Sequence, residues 1–158
     1  MGSREAVIER FERECLHDDT VLSVRIVPAR SHRGHAAVEV DLAESGTGRL
    51  RRLTFSRVAN VRLGADLDVL RDNLPWNLNR LSASADDEAI CELIASQADL
   101  LNIEYLDCDE EPIEQADRRA KLDDPSSWVL FRIALFGGTL ELVATGFKLT
   151  RPRARVGT

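Results

Sequence analysis

The chain has 158 residues, a length that fits one domain and can bury a hydrophobic core without disulfide or metal cross-links. Its 44% hydrophobic and 30% charged residues are typical of a soluble globular protein. The net charge of −6 argues against nucleic acid as the main partner, because a phosphate backbone needs a basic face. The sequence has neither an apolar run of the ~20 residues that cross a membrane nor a secretory signal, so we expect a cytoplasmic protein without membrane contacts.

Three cysteines are present, Cys15, Cys91 and Cys108. Their odd number and wide spacing argue against a disulfide framework, and no C-x-x-C motif occurs. We therefore expect buried free thiols, as in a protein of the reducing cytoplasm.

The N-terminal segment 4–16 has the period of an amphipathic helix. Ile8, Phe11 and Cys15 recur at helical spacing, and charged residues fill most other positions. Ser3 precedes the segment, and serine is a preferred N-cap. The sequence therefore predicts a helix of about three and a half turns.

At Thr20 the period changes to two, which predicts a strand and then an antiparallel hairpin. In the first run Leu22, Val24 and Ile26 point to one side, and Pro28 ends the run. The apolar positions of the second run are Ala36, Val38, Val40 and Leu42.

The third apolar run changes parity between Phe55 and Val58, which predicts a bulge or the start of a new strand. Further along, we predict a short helix over 66–73 and a helix whose Ser84-x-x-Asp87 start resembles a capping box. The sequence also predicts a strand over 101–105 and a short helix over 112–122.

The strongest local signal comes from residues 127–147, two apolar runs joined by Gly137-Gly138, which is typical of a β-hairpin. The first run is apolar on both faces and predicts a central, doubly covered strand. Residues 151–158 are basic, and we expect a disordered tail there.

Together these segments predict one α+β domain over residues 1–150, mainly of antiparallel β structure. The strands come in hairpins without a repeated strand–helix–strand alternation, which favours a sandwich or a curved sheet of six to seven strands. An N-terminal helix and one or two further helices complete the predicted fold.

Several enzyme and metal-binding motifs are missing from the sequence. It contains neither of the glycine-rich phosphate loops, no G-x-S-x-G nucleophile motif, no H-E-x-x-H and no EF-hand loop. His32 and His35 stand close together in a predicted turn, but two ligands do not complete a metal site. We therefore expect no cofactor and no metal site.

Residues 16–19, LHDD, place His17 beside two carboxylates where the predicted helix meets the first strand. In a catalytic interpretation His17 is a general base oriented by Asp18, with Cys15 as the nearest thiol. In a structural interpretation Asp18 accepts backbone N–H groups in a turn, and His17 lies at a helix C-terminus, where a cation is favoured. The structural interpretation is favoured, because no oxyanion donor or further catalytic partner can be named.

Two acidic clusters in the second half of the chain are candidate partner-binding surfaces. Such clusters are usually solvated, and less often they dock a basic partner. The first cluster consists of Asp86, Asp87 and Glu88, and the second of Asp107, Asp109, Glu110 and Glu111.

The entry LHDDTVLSVRI into the first strand resembles that of the YxiG-like family and related small bacterial toxin-immunity proteins. The phenylalanine-containing strand at 53–55 and the apolar closing hairpin over 131–147 follow the same order of elements, while residues 74–125 match nothing in it. The resemblance implies a protein that binds and neutralises a toxin.

We therefore expect a non-catalytic, cytoplasmic protein-binding module, with a basic toxin as the implied partner. Two alternatives remain. One is a small hydrolase-like enzyme that uses His17 and Asp18. The other is a structural or assembly protein that pairs through an exposed strand edge.

Overall fold

A computed structural model of the chain describes residues 3–29, 35–65, 76–93 and 125–152. The elements are helix α1 (Arg4–Glu12) and strands β1 (Thr20–Val27), β2 (Ala36–Ala43), β3 (Leu50–Val58), β4 (Asn60–Ala65), β5 (Leu78–Ser84), β6 (Val129–Leu135), β7 (Gly138–Ala144) and β8 (Gly146–Thr150). Residues 87–93 are also helical, and Pro125–Ser127 form one 3₁₀ turn. The elements predicted over 66–73, 101–105 and 112–122 lie outside the described residues, as do His32 and Cys108.

The strands form two antiparallel sheets of four strands each, in the orders β1-β2-β3-β8 and β4-β7-β6-β5. The predicted α+β fold, mainly antiparallel β with an N-terminal helix, is confirmed. The described residues contain eight strands rather than six or seven, because the sequence pattern does not predict β5 and because the closing run, like the third run, bends and passes from one sheet to the other.

The two bends lie side by side and join the sheets. Thr145 N, between β7 and β8, donates a hydrogen bond to Ser56 O at 3.2 Å, and Ala59 N, between β3 and β4, donates to Val143 O at 2.8 Å. The β3–β4 and β7–β8 segments thus remain paired through the bend.

The parity change predicted in the third run is a bulge combined with a strand end. Phe55 pairs with Val38, but Val58 pairs with Ala36, so β3 carries one extra residue. Arg57 in this bulge has a φ of 55°. Both alternatives drawn from the sequence therefore occur together.

The main core lies between the sheets and is centred on Phe11 of α1. The Phe11 ring packs edge-on against the rings of Phe131 and Phe147, each 4.9 Å away between centroids, and against Phe55 at 5.9 Å. These rings come from both sheets, so α1 is fixed to the two layers at one point.

Helix α1 is shorter than predicted. It begins after Ser3, whose Oγ accepts a hydrogen bond from Ala6 N at 3.3 Å, and it ends at Glu12 rather than residue 16. Cys15 therefore leaves the apolar stripe, and Leu16 is buried in its place. The expectation of buried thiols is wrong for Cys15 and Cys91, which are free but exposed.

The predicted inward face of β1 is wrong at Leu22. A bulge between Val21 and Ser23 places Val21, not Leu22, opposite the buried Leu42. Ile26 lies opposite Val38 as the alternation predicts, yet it is exposed because β1 is an edge strand.

Strand β6 lies inside its sheet, as predicted, but its second face is covered only at its start, because Arg132 on that face is exposed. Phe131 and Ile133 face the main core, while Leu130 faces the other way. There it joins a second buried cluster, made of Ile90 and Leu93 from the helix over 87–93 together with Trp128 and Val143.

The hairpin after β6 turns at Phe136-Gly137 rather than at Gly137-Gly138. Gly137 has a φ of 97°, which favours glycine. Gly138 already belongs to β7, where a Cβ atom would lie 2.7 Å from Gly64 O, so that position admits no side chain without a backbone shift.

Truncation of Phe11 tests the central role of this ring. We expect Phe11→Ala to lower the free energy of unfolding by about 3–5 kcal/mol, because it leaves a cavity among three other rings. Phe136→Ala, the same substitution at the exposed hairpin tip, is the matched control and should cost less than about 1 kcal/mol. Urea unfolding of both variants measures the difference, and equal losses would contradict the packing described.

Candidate functional site

Residues 16–19, LHDD, which we call the joint, connect α1 to β1. Their backbone is hydrogen-bonded to β5. Asp18 N donates a hydrogen bond to Leu78 O at 2.9 Å, and Leu78 N donates to Asp19 O at 2.8 Å. Asp18 has a φ of 68°, which a short polar residue tolerates better than most. Leu16 is buried beneath the joint, which leaves the side chains of His17 and Asp18 outside.

The structural carboxylate of the joint is Asp19 rather than Asp18. Asp19 is fully buried, and its Oδ1 accepts hydrogen bonds from Ser45 N and from Arg51 Nη2, both at 3.0 Å. Arg51 Nη2 also lies 3.4 Å from Glu44 Oε1. The prediction that Asp18 accepts the backbone N–H is therefore wrong by one residue, because the turn directs Asp19 inward towards the loop between β2 and β3.

The side chains of His17 and Asp18 form an exposed contact. His17 Nδ1 lies 3.0 Å from Asp18 Oδ2, and the two side chains are 63% and 54% exposed. The helix-terminus interpretation of His17 is wrong, since α1 ends at Glu12 and a helix dipole acts only within about one turn. An exposed pair of this kind contributes little to stability.

His17 lines an open groove of about 490 Å³ between the joint and β5. Cys15 also lines it, but the Cys15 thiol donates to Arg13 O at 3.8 Å and makes no hydrogen bond with His17. Cys15 and His17 therefore do not form a cysteine–histidine pair. The groove is lined by Glu12, Glu14, Cys15, His17, Leu78, Asn79, Arg80 and Leu81.

Two members of the first acidic cluster have structural contacts. Asp86 Oδ1 accepts hydrogen bonds from Glu88 N at 3.1 Å and Ala89 N at 3.3 Å, so Asp86, not Ser84, caps the helix over 87–93. Asp87 Oδ1 accepts from Arg4 Nη2 at 2.7 Å. All three members are exposed, but Glu88 is the one whose carboxylate neither caps the helix nor pairs with Arg4. The second cluster, Asp107, Asp109, Glu110 and Glu111, lies outside the described residues.

Helix α1 extends the first acidic cluster into a larger surface, which we call the acidic face and define as residues 3–17 and 80–93. The two segments are joined by Arg4, which donates to Ala85 O at 3.1 Å, and by Glu12 Oε1, which accepts from Ala83 N at 3.2 Å. Eight carboxylates against four arginines leave this face a net charge of −4. The carboxylates belong to Glu5, Glu9, Glu12, Glu14, Asp86, Asp87, Glu88 and Glu92.

The rest of the described chain has the opposite sign. Outside the acidic face, six acidic residues and nine lysines and arginines leave a net charge of +3. A hydrogen bond from its own backbone, followed by one from the Ser3 hydroxyl, lowers the pKa of the Glu5 carboxylate, which accepts both. The sequence clusters identified only part of this surface, since the glutamates of α1 are interleaved with arginines along the chain.

Within the described ranges, no helix is long and apolar enough to cross a membrane. The same residues contain no group of three or more histidine, cysteine or acidic side chains placed to bind a metal ion. Comparison with protein-family models, curated proteins and solved structures finds no match to this chain.

Matched substitutions distinguish the two aspartates of the joint. We expect Asp19→Asn to lower the free energy of unfolding by at least about 2 kcal/mol, because it removes the charge that compensates the largely buried Arg51. Asp18→Asn retains a residue suited to a positive φ and should change it by less than about 0.5 kcal/mol. Chemical unfolding of both variants measures this, and an equal cost for Asp18→Asn would assign the joint to the His17–Asp18 pair instead.

Proposed function

We propose that the protein is a non-catalytic binding module that docks a basic protein partner on the acidic face. One observation carries the proposal: residues 3–17 and 80–93 hold a net charge of −4, in a described chain that is otherwise positive. Separation of charge of this kind steers a basic partner towards one side of the molecule and repels it from the rest.

The acidic face is also rigid enough to bind without large ordering costs. Phe11 fixes α1 in the core, and the Arg4 contacts fix the start of the helix over 87–93. Asn60 Nδ2 donates to Leu93 O at 2.8 Å and holds that helix from beneath. A surface already in place loses less conformational entropy on binding than a flexible one.

The groove offers a place for a basic side chain of the partner. Glu12 and Glu14 line it, while the His17–Asp18 pair stands at its rim. Lysine or arginine inserted there gains charge-assisted hydrogen bonds with a carboxylate.

The resemblance to toxin-immunity proteins extends the proposal to a toxin as the partner and to the cytoplasm as the place of action. A nuclease toxin needs a basic site to hold nucleic acid. Occupation of that site by the acidic face would block access of the substrate, and neutralisation would need no chemistry.

Charge removal on the exposed side of the helix over 87–93 tests the docking surface. Glu88 and Glu92 are four residues apart, so both lie on one side, and both are exposed. We expect Glu88→Gln/Glu92→Gln to slow association with a nuclease toxin domain of net positive charge by about tenfold at low salt and to flatten the salt dependence. Stopped-flow fluorescence measures both quantities.

The matched control is Glu39→Gln/Glu141→Gln, which removes the same number of carboxylates from the outer faces of the two sheets. Both belong to surface ion pairs with arginines, whose loss costs little. The control should leave the association rate within about twofold. Unchanged rates for Glu88→Gln/Glu92→Gln would exclude this face.

A second candidate function is catalysis at His17, favoured by its exposure beside the groove and by a carboxylate 3.0 Å from its Nδ1. Titration of toxin activity separates the two proposals. A binding module neutralises the toxin in a fixed stoichiometric ratio, and His17→Gln and Cys15→Ser retain that ratio. Substoichiometric neutralisation that His17→Gln abolishes would instead establish an enzyme.

A further inference from the structure

Side chains of α1 cover two of the sheet edges. On β8, Phe147 O accepts a hydrogen bond from Arg10 Nη2 at 3.0 Å. On β5, Ala83 N donates to Glu12 Oε1 at 3.2 Å. Charged side chains at these positions block the pairing of further strands, which is a common protection of sheet edges.

Strand β1 lacks such protection over most of its length. At its start Val21 N donates to Trp76 O at 2.7 Å, and Thr20 is bridged to Asn77. Among the described residues, none outside β2 hydrogen-bonds to the backbone of residues 22–27. This free stretch also carries Leu22 and Ile26, which are 57% and 62% exposed.

We propose that this edge pairs with the β1 edge of a second copy of the chain, antiparallel and about a two-fold axis at Val24. The two four-stranded sheets that contain β1 would then become one continuous sheet of eight strands. The surface is distinct from the acidic face, so the inference does not rest on the function proposed above.

The sequence of β1 selects this register. A two-fold axis perpendicular to the sheet keeps the apolar face continuous only when residues of equal parity oppose one another. Within the regular stretch 23–27, centring on Val24 brings Ile26 next to the bulged Leu22 of the second copy, so that both exposed apolar side chains gain a partner. Centring on Arg25 would place two arginines opposite each other, which is destabilising.

Charges on the other face of the sheet agree with the same register. Arg25 is paired with Glu39 within its own chain, and Ser23 Oγ lies 3.5 Å from Asp41 Oδ2. In the dimer Arg25 stands opposite Ser23 of the second copy, with Asp41 of the second copy directly behind that serine. The row of side chains across the interface is thus acidic, basic, small and acidic, so that no two like charges stand next to each other.

Sedimentation velocity over a concentration series tests the dimer. A single strand pair makes a small interface, so we expect a reversible shift towards twice the mass of one chain as concentration rises. Ile26→Lys should weaken the dimer by at least about tenfold, because lysine at an edge opposes strand addition. Leu63→Lys, on the exposed part of β4, is the matched control and should leave the dissociation constant within about twofold.

Either of two results would overturn the proposal: the mass of one chain at every concentration, or a dimer that Ile26→Lys leaves intact. Purified protein that stays monomeric while it binds an added extended peptide at β1 would likewise overturn the proposal. Thermal unfolding of both lysine variants ensures that only folded protein is compared.

Cysteine cross-linking tests the register without relying on a destabilising variant. In a chain with Cys15, Cys91 and Cys108 replaced by serine, Val24→Cys should form a covalent dimer on mild oxidation. Opposed residues of antiparallel strands have Cα atoms about 4.5–5.5 Å apart, within the range of a disulfide. Arg25→Cys alone should remain monomeric, and its cross-linking in place of Val24→Cys would contradict the register.

Discussion

Burial of the Phe11 ring is the interaction on which the rest of the described structure depends. Its partners Phe55, Phe131 and Phe147 come from both sheets, so this one side chain fixes α1 against the two layers. Once α1 is fixed, Arg10 reaches the edge of β8 and the carboxylate of Glu12 reaches the edge of β5. The glutamates of the helix are thereby placed beside Asp86, Asp87 and Glu88, and a single hydrophobic contact organises both edge protection and the acidic face.

Local periodicity predicted much of the fold. Alternation located β2, and the doubly apolar run located the central β6, because burial on one or both faces leaves a direct trace in sequence. The bend at Thr145 left no such trace, since Gly146 has no side chain to break the pattern and both halves of the run are apolar. The end of α1 was also missed, because charged residues continue past Glu12 and the burial of Leu16 depends on the turn that follows.

The candidate site was predicted less well, because its contacts join residues that are far apart in the sequence. Asp18 and Asp19 are adjacent and identical in type, and the contacts of Asp19 with Ser45 and Arg51, which are 26 and 32 residues away, make only that one structural. The acidic face likewise joins segments more than 60 residues apart. Consecutive acids such as Asp86 to Glu88 are visible in sequence, whereas a surface assembled from two elements is not. The bulge in β1 is likewise not visible in the sequence, although it makes Leu22, a predicted core residue, an exposed one.

We propose that a basic partner docks on residues 3–17 and 80–93. Hydrogen–deuterium exchange of the chain, alone and with an excess of a nuclease toxin domain of net positive charge, tests it most directly. Docking on the acidic face predicts slower exchange in these two segments and unchanged exchange in β2 and β3. Protection confined to β1 or to the outer faces of the sheets, with none in α1, would contradict it.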